Sequence, residues 1–164
     1  FGNFGVAPAP AMGRVSSAPP GAWGGNFDNK EFTAGATVYI PIFNQGALFS
    51  VGDGHGCQGD GEANINGIEM GLHGTFEMIV RKDMSLKVPR AETPTHYILG
   101  GFDPILDNAA KMALRETITF LGELRGMSRE DAYSLCSLAV DLHVTQIVNG
   151  YKGIHAMVPK SLFD

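Results

Sequence analysis

The segment from residue 52 to residue 62, GDGHGCQGDGE, limits most strongly what this chain can fold into. Five of its eleven residues are glycine, which weakens helix and strand interiors but permits positive φ angles. The whole chain has 22 glycines among 164 residues, about 13% against an average of ~7%. Because Ser and Gln are not enriched as well, the excess predicts ordered turns and loops, and it argues against a helical bundle or a flexible linker.

Polar side chains alternate with the glycines of this segment. They are Asp53, His55, Cys57, Gln58, Asp60 and Glu62. A glycine-rich backbone lets such side chains converge on one point, as they do around a divalent cation, with ligand distances of ~2.0–2.2 Å for Zn²⁺. The alternative is that each Gly-Asp-Gly unit is a tight turn whose Asp bonds to its own backbone. The residues alone leave both interpretations open.

Several other catalytic patterns are missing. The segment lacks the GK[ST] of a phosphate-binding loop and the DxDxDG of an EF-hand, and the chain has no GxSxG. Cys57 could act as a nucleophile with His55 or Glu62 as its base. A spectator thiol is the favoured interpretation, because only His55 is placed to lower the pKa of Cys57.

Charge and hydropathy exclude two classes of partner. The chain has 12 Lys and Arg against 17 Asp and Glu, a formal charge of −5, and no basic run is longer than Arg81-Lys82, so nucleic-acid binding is not expected. No apolar run approaches the ~18 residues of a membrane span.

Two cysteines without CxxC spacing indicate a reducing, cytoplasmic compartment. The chain starts at Phe1 without a leader, so we expect it to be a piece of something longer.

The first hundred residues predict a β-rich portion. Residues 1–25 combine prolines and small residues with large apolar ones, so we expect an irregular segment packed on another part of the protein. Residues 37–100 should be mostly sheet. The predicted strands are 37–43 and 47–51, joined by a short turn, followed by 62–70 and 75–80.

Residues 101–164 predict two helices and then a β-hairpin. Asp103 as N-cap and Pro104 as first residue begin the first helix, which Gly126 ends. Ser128 caps the second helix. The fold class is therefore α+β.

The closing hairpin consists of the stretches LHVTQIV and IHAMV around a glycine-containing turn. His143 and His155 could face each other across it. We interpret these two histidines as hydrogen-bonded sheet residues rather than ligands, because a metal site usually needs a third partner.

Three stretches carry a family resemblance. They are GGNFDNKEFTAGATVYIPIFNQGALFSVGDGHGCQGDGE, PRAETPTHYILGGFDPILDNAAKMALRE and SREDAYSLCSLAVDLHVTQIVNGYKGIHAMVPKSLF. Spanning essentially Gly24 to Phe163, the chain resembles the acetamidase/formamidase family. The resemblance implies metal-assisted hydrolysis of a small aliphatic amide, such as formamide or acetamide, to ammonia and a carboxylate. It also implies a β-sandwich-like portion joined to an α+β portion within a larger, mostly-β amidase fold, and a homo-oligomeric cytoplasmic enzyme with a divalent metal, Zn²⁺ before Ca²⁺.

Under this resemblance we assign roles to residues in and near the glycine segment. His55 and Asp60 are expected to bind the metal and to belong to the catalytic set, with Asp28 as a further ligand. Glu62 is the expected general base and then the acid for the leaving amine. The expected substrate-binding residues are Asn26 and Gln58.

The resemblance is to the C-terminal half of longer proteins, with residues 1–100 completing a sandwich and residues 101–164 forming the ααββ portion. We therefore expect an N-terminal fragment of the same protein as a partner, besides the amide and further copies of the chain. Three alternatives stay open. They are an amidase with Cys57 as nucleophile, a non-catalytic homologue that binds amides or metal, and a purely structural metal.

Overall fold

The computed structural model describes residues 1–164 as an α+β protein with two antiparallel sheets, which confirms the predicted fold class. Its elements are β1 (Asn3–Gly5), β2 (Gly24–Asn26), β3 (Thr37–Tyr39), β4 (Ser50–Gly52), β5 (Arg90–Glu92), β6 (His96–Asp103), α1 (Leu106–Arg125), α2 (Arg129–Ala139), β7 (Asp141–Gln146) and β8 (Lys152–Pro159). Short 3-10 turns lie at Pro10–Met12 and Lys160–Phe163. Neither α-helix combines the length and the apolar character needed to span a membrane.

The larger sheet has the strand order β3-β5-β6-β8-β7, and all of its neighbours are antiparallel. Residue 100, where the sequence predicts a change from the β-rich portion to the ααββ portion, lies within β6. The smaller sheet has the order β2-β1-β4, so the N-terminal strand is its centre. Residues 1–9 and 19–25 are thus packed, as expected, and they include β1 and most of β2, but residues 10–18 are mostly exposed.

Both helices cover one face of the larger sheet. Every fourth residue of α1 from Ala109 to Leu121 is fully buried, because residues four apart share one face of a helix. This face packs on the alternate residues of β8 that include Ala156 and Val158. The closest approach is at Gly101 in β6, where an added Cβ would lie 2.6 Å from the backbone nitrogen of Ala113. The helix can therefore sit this close only because residue 101 has no side chain.

The other face of the larger sheet is covered by an aromatic cluster that joins the two sheets. Phe27 lies 5.7 Å from Phe4, 5.4 Å from Phe32 and 5.6 Å from Phe102, measured between ring centroids. Because side chains alternate along a strand, His155 and Met157 of β8 point to this face and not toward the helices. The polar clusters described below lie on this side.

The predicted hairpin of residues 37–43 and 47–51 is wrong. Strand β3 pairs with β5 and strand β4 pairs with β1, so the two strands belong to different sheets. The chain between them cannot continue a ladder, because Pro41 has no backbone N–H and Ala47 and Leu48 have φ angles of 57° and 56°.

The predicted strands at 62–70 and 75–80 are also wrong, and residues 37–100 are not mostly sheet. Within 62–70 and 75–80 the only β-bridge joins Glu69 to His55. A second isolated bridge lies just before these stretches and joins Gly61 to Gln146 in parallel. Apolar residues of this region face outward, with Ile79 69% and Val80 81% exposed. Their pattern resembles that of a strand, but no neighbouring strand of this chain pairs with them.

The second half of the chain follows its local signals except at the start of the first helix. The predicted N-cap Asp103 and first residue Pro104 are wrong, because α1 begins at Leu106 with Ile105 as its N-cap and without a side-chain cap. The Asp103 carboxylate instead accepts a hydrogen bond from Ile105 N at 2.8 Å, which holds the turn before the helix. Helix α1 ends at Gly126, whose φ is 65°, and Ser128 caps α2 by accepting from Asp131 N. The closing hairpin is confirmed as β7 and β8.

Candidate functional site

The glycine segment is held in place by backbone pairing with residues further along the chain. Gly56 N donates to Ile68 O at 2.8 Å, Ile68 N donates to Cys57 O at 2.8 Å, and Met70 N donates to Gly54 O at 2.7 Å. A Cβ at Gly54 would lie 2.5 Å from Met70 O, so the close pairing depends on glycine there. Residues 54–57 and 68–70 thus form an ordered two-stranded arm, and the side chain of His55 points from this arm into the protein.

Gly2 joins this arm to the start of the chain. Gly2 N donates to Asp53 O at 2.7 Å, and Asp28 N donates to Gly2 O at 3.0 Å. These two bonds place the side chains of Asp28 and Asp53 on either side of the same glycine. Three stretches that are far apart in sequence therefore meet at one point.

Asp28, Asp53 and His55 form the first polar cluster, in which one ligand atom from each residue lies within 4.8 Å of the others. The His55 side chain is 7% exposed and that of Asp28 is 2% exposed. His55 Nε2 lies 3.0 Å from Asp53 Oδ1, and His55 Nδ1 lies 3.8 Å from Asp28 Oδ1. These are the oxygen and imidazole donors that zinc sites use.

Gln58 orients the imidazole of His55. Gln58 Nε2 donates to Asp28 O at 2.5 Å, so Gln58 Oε1 is the atom that accepts from His55 Nδ1, at 2.8 Å. In the neutral imidazole the lone pair is then on Nε2, facing Asp53 Oδ1. A lone pair and a carboxylate oxygen at 3.0 Å repel each other unless a proton or a metal ion lies between them.

The electrostatics of His55 agree with this arrangement. Burial by itself lowers the pKa of His55, but the hydrogen bond to Gln58 and the negative charges of Asp53 and Asp28 outweigh burial and raise the pKa above its ordinary value. The cluster therefore favours positive charge at the imidazole. A bound cation would supply that charge in place of the proton.

Glu62 lies against Asp28 as a second buried carboxyl group, and the two residues are 5% and 2% exposed. Burial, reinforced by the neighbouring negative charge of Asp28, raises the pKa of Glu62 to about 7. Burial also raises the pKa of Asp28, but Asn149 Nδ2 donates to Asp28 Oδ2 at 2.5 Å and works against that rise. Burial beside Asp28 thus leaves Glu62 able to take up or release a proton near neutral pH. Both residues have positive φ angles, 48° at Asp28 and 41° at Glu62, which are unfavourable for side chains of this kind.

A second polar cluster consists of Glu31, His143 and His155, with one ligand atom from each within 4.8 Å of the others, so Glu31 supplies the third partner that the sequence did not indicate for the two histidines. His155 is 1% exposed, and burial is the main reason that its pKa falls to about 4. The negative charge of Asp60 opposes that fall, while His143 and Lys30 add to it. Asp60 Oδ2 lies 3.2 Å from His143 Nδ1 and 3.1 Å from Lys30 Nζ.

The structure brings four of the predicted site residues together and places two elsewhere. Asp28, His55, Gln58 and Glu62 surround the first cluster. Asp60 lies with the second cluster, beside Lys30 and His143. Asn26 is in β2, and its backbone oxygen accepts from Asn149 Nδ2 at 3.3 Å while its own amide group makes no hydrogen bond.

Sequence reasoning did not assign roles to Gly2, Asp53 and Asn149. Asp53 could have been chosen, because it stands two residues before His55 in the same glycine segment. No local pattern marks Gly2 or Asn149, since Gly2 acts by its lack of a side chain and Asn149 is 121 residues from its partner Asp28. Cys57 is exposed and forms no hydrogen bond through sulfur.

The first cluster fits a divalent cation by two further observations. Asp28 Oδ1 is buried and has no hydrogen-bond partner. A Cβ on Gly2 would lie 2.6 Å from Asp53 Oδ2 and 3.0 Å from His55 Cε1, and nearer still to Asp28 Oδ1. The space in front of the three donors thus exists only because residue 2 is glycine.

Comparison with known proteins identifies the family of the chain. The model of the acetamidase/formamidase family matches residues 8–164. The formamidase of Methylophilus methylotrophus is 32% identical over 155 residues, covering 81% of this chain and 38% of that protein. The acetamidase of Mycolicibacterium smegmatis is 52% identical over 56 residues, which are 34% of this chain and 14% of that protein.

Two solved acetamidases have the same fold. The acetamidase of Bacillus halodurans superposes with a TM-score of 0.86 at 35% identity and covers 99% of this chain and 54% of that one. The acetamidase of Yersinia enterocolitica gives 0.88 at 28% identity, over 99% of this chain and 49% of that one. The chain thus spans about half of the solved relatives and less of the curated ones. It belongs to the acetamidase/formamidase family.

Proposed function

We propose that this chain is part of an enzyme that hydrolyses small aliphatic amides, such as formamide or acetamide, to ammonia and the carboxylate. The chain corresponds to about half of such an amidase, and the other half is needed for activity. The observation that carries the proposal is the carboxyl pair of Glu62 and Asp28 beside the donors of the first cluster. Amide hydrolysis needs a group that takes a proton from water and later protonates the leaving nitrogen, and such a group works best with a pKa near neutrality. Glu62, with a pKa of about 7, meets that requirement.

The first cluster would hold a divalent cation, Zn²⁺ before Ca²⁺, through Asp28, Asp53 and His55. When bound there, such a cation supplies a Lewis acid that polarises the amide carbonyl and lowers the pKa of water. Glu62 Oε2 is buried and free of hydrogen bonds, so it is the atom that accepts the proton of the attacking water. Returning this proton to the nitrogen lets the carbon–nitrogen bond break, and one water and one amide give one carboxylate and one ammonium ion.

The amide residues divide between two tasks. Both ends of the Gln58 side-chain amide are engaged, one with the Asp28 carbonyl and one with His55, so we assign Gln58 to positioning His55 instead of to gripping the substrate. Asn26 keeps its side-chain amide free, and it remains the candidate for binding the substrate amide. Asp60 faces the second cluster, so we replace it by Asp53 as the third ligand of the first cation.

A nucleophilic Cys57 is the main rival mechanism. The thiol is exposed, and its intended base His55 already donates Nδ1–H to Gln58. A thiol without a base in hydrogen-bond contact is a weak nucleophile at neutral pH. The geometry therefore favours water as the attacking group.

The proposed partners are the missing half of the protein and further copies of the chain. Residues 65–80 expose several large apolar side chains on one irregular stretch. These are Ile65, Ile68, Met70, Leu72, Phe76, Met78, Ile79 and Val80. An apolar surface of this kind marks an interface, and we assign it to the N-terminal half, with which residues 1–100 would complete the sandwich. Both cysteines are free, which fits the cytoplasm as the proposed location.

The function is tested by ammonia release from formamide and acetamide, measured on the assembly as it is isolated. We expect release that stops on chelation and returns with Zn²⁺. The variant Cys57→Ser should keep its activity, and mass spectrometry should find no acyl adduct on Cys57. An acyl adduct together with a dead Cys57→Ser variant would establish the thiol mechanism, and no release from any amide would indicate a binding protein.

A further inference from the structure

We propose that Glu31, His143 and His155 form a second divalent-cation site, separate from the cluster of Asp28, Asp53 and His55. Two imidazoles and one carboxylate are a donor set that suits a borderline transition-metal ion such as Zn²⁺ and leaves a fourth position for water. The site does not depend on the proposed amidase function, because none of its three donors belongs to the first cluster.

The strand register brings the two histidines together. His143 in β7 is the direct antiparallel partner of His155 in β8, and their ring centroids are 5.2 Å apart. Their strand neighbours Val144 and Ile154 belong to the apolar cluster under α1, so both imidazoles point to the opposite face. The sheet itself therefore fixes two of the donors on one side.

Glu31 reaches the same place from the loop after β2. Its backbone N–H donates to Asn29 Oδ1 at 3.0 Å, and Phe32 N donates to Asn29 O at 3.1 Å, so a local turn holds the residue. The three donors come from β7, β8 and this turn. The site is thus formed only in the folded chain.

A buried nitrogen without a partner points to the missing ligand. His155 is 1% exposed, and its Nδ1 is bonded to Thr145 Oγ1 at 2.7 Å. His155 Nε2 is buried and has no hydrogen-bond partner. A histidine that binds metal through one ring nitrogen typically has the other one hydrogen-bonded to a protein group, as Thr145 does here.

Asp60 and Lys30 lie beside this site. Asp60 Oδ2 lies 3.2 Å from His143 Nδ1, which is buried and makes no hydrogen bond, and 3.1 Å from Lys30 Nζ. Lys30 Nζ is also 3.9 Å from Glu31 Oε1, and the Lys30 side chain is 37% exposed. The ammonium group therefore stands where it competes with a cation, and it can withdraw into solvent.

Gly61 connects the two clusters. Gly61 N donates to Thr145 O at 3.2 Å, and Ile147 N donates to Gly61 O at 3.1 Å, so the glycine lies along the end of β7. Its neighbours diverge, with Asp60 at the second cluster and Glu62 at the first. One glycine-rich segment thus serves two sites.

The test is Zn²⁺ titration of the chelated protein, with bound metal counted by elemental analysis. We expect two equivalents per chain in the wild type. His143→Gln should lose one equivalent or weaken it at least about a hundredfold, and Asp53→Asn should lose the other. His143 is partly exposed on the edge strand β7, so its variant should fold, and Glu31→Gln provides an independent second variant. His96→Gln, whose histidine bonds to Thr95 outside both clusters, is the matched control.

Lys30→Gln should change the Zn²⁺ affinity of the second site in the opposite direction from His143→Gln. Removing the ammonium group should tighten Zn²⁺ at the second site by about tenfold, the effect of one charge on a dication across several ångströms of water-like medium. Unchanged affinity in Lys30→Gln would contradict the placement of the ion. A single equivalent in the wild type that Asp53→Asn removes, or two equivalents that survive both His143→Gln and Glu31→Gln, would overturn the second site while leaving the first one intact.

Discussion

The helical layer and the glycine segment deal with buried polar groups in opposite ways. Under α1 the buried hydroxyl of Thr117 donates to Ala113 O at 2.8 Å, so its hydrogen-bonding need is met within the helix. Of the five buried side-chain atoms without a partner, Asp28 Oδ1, Glu62 Oε2, His143 Nδ1 and His155 Nε2 lie around the glycine segment and its neighbouring clusters, and only Arg90 Nε lies on the side of α1. Unpaired buried polar atoms lower stability, so proteins keep them mainly where a ligand or a reaction uses them. The packing of the helical layer stabilises the fold, and this stability offsets the cost of the unpaired buried atoms around the glycine segment.

Among the variants near the glycine segment, Gly2→Ala should have the largest effect on activity and on metal binding. The new Cβ would enter the space between Asp28, Asp53 and His55, so we expect at least about a hundredfold loss of amidase activity and a matching loss of bound metal. Gly59→Ala is the control, because a Cβ at Gly59 meets nothing within 4 Å. Normal metal content in Gly2→Ala would remove the first cluster as the binding site.

The carboxyl pair should make stability depend on pH. The folded-state pKa of Glu62 is raised to about 7 from 4.5, so its contribution is fully present below the unfolded pKa and is lost as pH rises through 7. The metal-free chain should therefore lose on the order of 3 kcal/mol between pH 4.5 and pH 7.5, since each pKa unit corresponds to about 1.4 kcal/mol. Urea unfolding of the wild type and of Glu62→Gln measures this. A wild-type pH profile that Glu62→Gln leaves unaltered would place the effect in another residue.

Gly101→Ala adds one methyl group, as Gly2→Ala does, and tests how closely α1 packs on β6. The added methyl group would press on the backbone of α1 at Ala113, and we expect a loss of ~1–3 kcal/mol in the free energy of unfolding. Gly122→Ala, in the same helix, has ordinary contact distance to Met127 O and should instead stabilise by up to ~1 kcal/mol. The two variants should move the urea midpoint in opposite directions, and a shared direction would mean that the close packing of α1 on β6 is not the cause.

Glu92 should have the smallest effect, because it lies at the partly exposed margin of the sheet. Partial burial raises the pKa of Glu92, but hydrogen bonds from Lys160 Nζ and Tyr39 Oη, each 2.6 Å, lower it below its ordinary value. Its contribution is therefore present above the unfolded pKa and is lost as pH falls through the folded pKa. Glu92→Gln should lower stability at pH 7 by less than ~1 kcal/mol, and the exposed Glu77→Gln should change nothing. Thermal unfolding at pH 7 and pH 3 measures both, and a loss in Glu92→Gln as large at pH 3 as at pH 7 would rule out the ionised carboxylate as its source.

How well the sequence predicts each region follows from the range of the interactions involved. Helix α2 could be predicted because its cap, Ser128 with Asp131, lies within one turn, and α1 ends at a glycine with the expected positive φ. The hairpin of β7 and β8 could be predicted for the same reason, including the pairing of His143 with His155. These elements are determined by neighbours in the chain.

The rest depends on partners that no local pattern marks. The outward-facing Ile79 and Val80 have the periodicity of a strand, but nothing in this chain pairs with them. The composition of the glycine segment indicates a candidate site, yet sequence alone does not decide between Asp53 and Asp60 as a neighbour of His55. That choice follows from the backbone bond of Gly2 to Asp53 and from the bonds of Gly61 to Thr145 and Ile147, which join residues far apart in the chain.

Ammonia release from formamide by Glu62→Gln, with bound metal determined on the same sample, tests whether Glu62 transfers the proton in the proposed reaction. We expect turnover to fall by about 10²–10⁴-fold while the metal content stays at the wild-type value, because Glu62 moves the proton and does not bind the ion. Glu69→Gln, on the exposed partner of the same glycine segment, should retain full activity. Wild-type turnover in Glu62→Gln with its metal in place would contradict the account.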